Sequence, residues 1–162
     1  MTVDTTQSRQ RIADFLATKG VGVLATSDGA GKPHAATIYI TIDRDLSIYF
    51  ITKQDTQKCR NLQANPWAAI AVYDAVSQTT VQAEGSVVVV TDAQQLEWIF
   101  NDIWKQAAQI SPGATPPVAQ LMAGSYVVFR LSTPSLRMAS FNRPNGSESN
   151  DIFETVHTQP GV

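Results

Sequence analysis

The chain has 162 residues, with 12 Lys and Arg against 14 Asp and Glu, and 43% of its positions are hydrophobic. That length and apolar fraction suit one globular domain with or without a tail and exclude the disordered class, while the near-neutral charge without a basic block argues against a nucleic-acid partner. One cysteine, Cys59, excludes an intramolecular disulfide. The first residues lack the apolar core of a signal peptide, and no run approaches the roughly 18 apolar residues of a membrane span, so a soluble cytoplasmic protein is expected.

In chain order, residues 5–19 read as a helix. Thr5 or Thr6 can cap it, Ile12, Phe15 and Leu16 form an apolar stripe, and Gly20 can end it. Residues 21–26 read as a strand, Ser27–Pro33 as a turn, and His34–Ile42 as a second strand rich in Thr, Ile and Tyr. Asp43–Asp45 is a tight polar turn before a strand over Leu46–Thr52. A short helix is expected over Asp55–Ala64, ended by Asn65-Pro66, and Trp67–Tyr73 reads as a strand. Thr79–Val90 is a long strand in which Gly85 can mark a bulge or barrel bend. Its four valines, Val87–Val90, predict cover on both faces. Thr91 and Gln94 match a capping box, followed by a helix with Leu96, Ile99, Phe100, Ile103 and Ala107 on one face. Ser111–Pro117 reads as a loop and Ser125–Ser132 as a strand. Met138–Val162 is polar and turn-rich and reads as a tail or a strap over a neighbour. Six mostly hairpin-connected strands with few helices predict a mainly β fold, an antiparallel barrel or sandwich.

One constellation points to chemistry. Thr52, Thr56 and Lys58 cluster where a strand meets a short helix. Unpaired N–H groups, the helix dipole and a lysine can hold a phosphate there. The preceding strand through Ala35–Ile40 can lay a flat ring along its backbone, which suggests a nucleotide cofactor, with flavin first. A bland alternative stands beside each residue. Lys58 also reads as a solvated helix lysine, Thr52 as a strand end, His34 as a surface residue, and Trp98 and Trp104 as core or dimer residues. Two distant histidines and one cysteine form no metal set, and no paired carboxylates stand out.

Several motifs then fall in a familiar order. They are Gly31–His34, Ile48–Thr52, Thr56–Lys58, Asn61-Leu62, Asn65-Pro66 and Glu84-Gly85. In these the chain resembles the FMN-binding split β-barrels related to pyridoxamine 5′-phosphate oxidase, over roughly residues 10–135. The resemblance implies a six-stranded antiparallel split β-barrel over residues 1–137, with 138–162 as the tail. It implies a homodimer with FMN between subunits and oxidoreductase activity on an unknown small molecule. The family's flavin strand falls on Ala35, Ala36, Thr37, Ile38, Tyr39 and Ile40. Its phosphate groups fall on Ile51, Thr52, Gln57 and Lys58, and its flavin glutamine on Thr80. Gln57 thus stands where the family has arginine, which removes one cation and its forked hydrogen bonds. Arg60 is the candidate to substitute for that cation, but, two residues from Lys58 on a helix, it is expected to point to another face. A different flavin or a deazaflavin is the alternative cofactor. The substrate lysine falls on Ile40 and the family's C-terminal basic motif has no counterpart, so oxidation of pyridoxamine 5′-phosphate itself is not expected. The alternative function is a non-catalytic flavin- or planar-ligand-binding module, or a haem-handling barrel.

Overall fold

A computed structural model describes residues 5–113, 125–142 and 152–158. Helix α1 spans Thr5–Lys19 and buries Ile12 and Leu16 completely. Gly20 ends it with φ +59°, its N–H donating to the Leu16 carbonyl at 3.0 Å. Strands β1 (Val21–Ser27) and β2 (Pro33–Ile42) form a hairpin. Its turn is held by Asp28, whose carboxylate accepts from the N–H groups of Ala30 and Lys32. Asp43 repeats the device, accepting from Asp45 and Ser47 before strand β3 (Ile48–Lys53). Helix α2 (Gln57–Ala64), β4 (Trp67–Asp74) and β5 (Thr79–Val89) follow. The remaining elements are α3 (Ala93–Ile110), β6 (Tyr126–Ser132), β7 (Ser135–Ser140) and β8 (Phe153–His157).

The sheet runs β4-β1-β2-β3-β6-β5-β7-β8, and β4 also pairs with β5. That pairing closes six antiparallel strands into a barrel, as expected, and leaves β7 and β8 as two added strands. Inward positions alternate along each strand. Leu24, Ile38, Ile40, Ile48, Phe50, Ile70, Val81 and Leu131 fill the interior, with Phe50 stacked on Phe129. Each such side chain contributes about 1.5–3 kcal/mol of hydrophobic stabilisation. Ile12 and Leu16 of α1 and Cys59 and Leu62 of α2 belong to the same core. Helix α3 instead packs on the outer face, where Ile99, Ile103 and Ala107 meet Tyr49, Ile51 and Val128.

Three expectations change. The N-cap of α3 is Asp92 rather than Thr91, its carboxylate accepting from the Gln95 N–H at 2.9 Å. A carboxylate there satisfies the free N–H and also favours the positive end of the helix dipole. The valine run is not covered on both faces. Val87 and Val90 are buried, but Val88 and Val89 are 45% and 53% exposed, because α3 leaves this end of β5 uncovered. Within the stretch read as a tail, residues 138–140 and 153–157 lie on strands. β7 pairs with β5 at Thr79–Ala83, β8 pairs with β7, and Met138 and Val156 enter the core. Of the proline loop, residues 114–117 lie outside the described residues.

Gly85 is where β5 changes neighbours. Residues 79–83 pair with β7, whereas residues 86–89 pair with β6. A Cβ at Gly85 would lie 2.0 Å from the Ser132 carbonyl oxygen, so only glycine lets the backbones approach this closely. This is the bend that the sequence anticipates.

Candidate functional site

The barrel opens between β2 and β3. These strands pair only at Ile40–Ile42 with Ile48–Phe50, whereas β1 pairs with β2 from Val21↔Tyr39 to Ser27↔Pro33. The Ile40 N–H donates toward β1, to the Gly20 carbonyl at 2.9 Å. Strand alternation therefore turns the backbone groups of Ala35, Thr37 and Tyr39 toward β3, where they have no strand partner. Ala35 and Thr37 are exposed and Ala36 is half-buried. Ile38 and Ile40 point into the barrel core, and Tyr39 packs under α3. Of the expected strand, its first half thus offers free backbone and open surface.

The end of β3 and the start of α2 border this opening. Ile51 lies beneath α3, and Thr52 is buried. Thr52 Oγ1 lies 3.0 Å from Thr56 Oγ1, which caps α2 by accepting from the Cys59 N–H. The two hydroxyls are thus engaged with the helix start. Lys58 is half-buried and makes no ion pair among the described residues. Gln57 donates to Asn61 Oδ1 at 2.7 Å, and Asn61 donates to Thr26 Oγ1 at 3.0 Å, which ties α2 to the barrel wall.

Arg60, the candidate substitute expected on another face, turns toward position 57. Its guanidinium folds back, donating to Gln57 Oε1 at 2.9 Å and to the Asp55 carbonyl at 2.8 Å. A second cation therefore stands beside position 57. The readable signal was the i, i+3 spacing of Gln57 and Arg60, which puts them on one helix face, rather than the distance from Lys58.

Thr80 is not brought to this place. It lies on β5, three strands from β2 in either direction round the barrel, against Tyr73 and Ala139. Burial raises the pKa of the Cys59 thiol, which keeps it protonated and unreactive. His34 is half-buried with Nδ1 unpartnered, and His157 is exposed on β8. Among the described residues no group of three or more His, Cys, Asp or Glu is placed to hold a metal, and no helix is long and apolar enough to cross a membrane.

A closed six-stranded antiparallel barrel, plugged by helices and split between β2 and β3, defines the class. Residues 8–138 match the family description of pyridoxamine 5′-phosphate oxidase, and the chain belongs to that family. A pyridoxine/pyridoxamine 5′-phosphate oxidase of Pseudomonas putida is 38% identical over 68 residues, covering 42% of this chain and 32% of that protein. The match spans about a third of that relative's length. Two solved structures share the fold. A pyridoxamine 5′-phosphate oxidase-related, FMN-binding protein of Nostoc punctiforme has a TM-score of 0.61 at 17% identity, covering 99% of this chain and 100% of that one. A haem-binding protein of Mycobacterium smegmatis has a TM-score of 0.64 at 17% identity, covering 97% and 59%.

Proposed function

We propose that the chain is a homodimeric, cytoplasmic flavoprotein that binds FMN and acts as an oxidoreductase on a small molecule. The observation that carries this reading is the opening between β2 and β3, where free backbone groups of Ala35, Thr37 and Tyr39 lie near a helix start bearing Lys58 and Arg60. Lys58 and Arg60 would hold the phosphate, with Arg60 replacing the cation absent at Gln57. The backbone of β2 would meet the polar edge of the ring. Thr80, on the far wall of its own barrel, reaches a flavin only from a second copy, which favours a site shared between subunits. The flavin, when bound, supplies the hydride chemistry, while the protein contributes binding, orientation and exclusion of water.

The test is flavin absorbance of the purified protein after FMN addition and desalting. Retained flavin is expected. Lys58→Ala should weaken FMN binding by about 1.5–3 kcal/mol in a fluorescence titration, the worth of a hydrogen bond to a charged group. Arg60→Met should weaken it in the same direction. Unchanged affinity in both variants would place the phosphate elsewhere. A second reading, binding of haem or another planar ligand without turnover, is favoured by the unpartnered Nδ1 of His34. A Soret band on haem titration that is lost in His34→Ala would support it.

A further inference from the structure

A second pocket lies at the opposite end of β3 from Thr52, between the 45–47 turn and the β6–β7 junction, with a volume of about 480 Å³. Strand register explains what lines it. Phe129 and Leu131 point into the barrel, so Arg130 between them points out. Arg130 pairs with Tyr49 on one side and Val88 on the other, and the neighbouring row is Ser132↔Ser86↔Trp67. Cross-strand pairing therefore puts one guanidinium, two serine hydroxyls and an indole on one patch of the outer wall.

Arg130 lies beside Tyr49 of the neighbouring strand, whose hydroxyl donates to Asp43 Oδ2 at 2.8 Å. The other Asp43 oxygen anchors the N–H groups of Asp45 and Ser47, so the same network fixes the turn that rims the pocket. Arg130 lines the pocket and makes no ion pair among the described residues. A guanidinium that lines a pocket with no ion-pair partner, and whose fork matches a carboxylate, marks a place for an anion. Ser86 and Ser132 have hydroxyls to add, and Trp67, 61% exposed, gives a flat apolar flank. Asp45 also lines the pocket and repels a dianion more than a monoanion, so a single carboxylate suits the site better.

We propose that this pocket binds a small aromatic monocarboxylate, with Arg130 taking the carboxylate and Trp67 the ring. The proposal does not rest on flavin binding, since Lys58 and Arg60 lie at the other end of β3. The test is calorimetric titration of the full chain with 1-naphthoate, 1-naphthyl phosphate and 1-naphthalenemethanol. Saturable binding of 1-naphthoate at one site per chain is expected, with no comparable binding of the neutral alcohol. Arg130→Met should weaken it at least tenfold, and Trp67→Ala several-fold, while Lys58→Ala should leave it unchanged. Should Arg130→Met fail to fold, Ser86→Asp places a like charge at an exposed position and should abolish binding. Equal binding of the alcohol, tighter binding of the phosphate, or full affinity in both Arg130→Met and Ser86→Asp would overturn the assignment. So would displacement of 1-naphthoate by FMN, which would merge the two sites, or a change of Arg130→Met to a different oligomeric state, which would make the pocket a subunit contact.

Discussion

A methyl group at position 85 has no room, because the Ser132 carbonyl already lies 2.0 Å from where it would stand. The obstacle is backbone, so relief requires β5 and β6 to separate. Gly85→Ala should therefore cost about 1–3 kcal/mol or more, measured by urea unfolding. Tyr49 makes a prediction about pH. Burial, and then its bond to Asp43, push its phenol from an ordinary 10.0 up to about 12. The folded state thus holds this proton more tightly than the unfolded state does. The resulting stability is fully present below pH 10 and is lost as the pH rises through about 12. An ultraviolet phenolate titration should show one late step that Tyr49→Phe removes. Side-chain identity was legible for Lys58 and Thr52, but the direction of Arg60 was not. A long arginine chooses among several acceptors, and only the folded helix start put Gln57 and the Asp55 carbonyl within its reach.

Helix α3 shows how far local rules carry. Its apolar stripe was legible because a 3.6-residue period fixes which positions share a face, and Ile99, Ile103 and Ala107 are buried as that period requires. Its start was off by one residue, since Thr91 and Asp92 both qualify as caps and sequence alone does not rank them. Asp92→Ala should lower stability by about 0.5–2 kcal/mol and Thr91→Ala by far less, in paired thermal or urea melts. The hydrogen bond from Gln95 to Asp92 is the reason. Strands β7 and β8 were hidden for a different cause. Their residues alternate weakly, and only pairing with β5 and with each other, joined by the Arg137–Phe153 contact, makes them strands. Glu154 of β8 then anchors α1 through Arg11 at 2.8 Å and Ser8 at 3.0 Å.

The barrel leaves large apolar side chains in water, among them Val89 and, on α3, Trp104. The reading of a cofactor shared between copies predicts a dimer by light scattering after size exclusion. Trp104→Asp, at a position 48% exposed, should shift the protein toward monomer and weaken FMN binding together, with the fold intact by circular dichroism. A monomer that binds FMN with full affinity would sink the shared site.

Elements, turns and the family were written in the sequence, because capping residues, periodicity and the order of short motifs act between near neighbours. The register in which β1 meets β4 and β3 meets β6, the point at which β2 and β3 part, the distance of Thr80 from Lys58 and the Arg130 pocket were decided by tertiary structure. All but the parting of β2 and β3 depend on strands far apart in the chain. A strand's own residues state which face is apolar, but not which partner it meets or where that pairing stops.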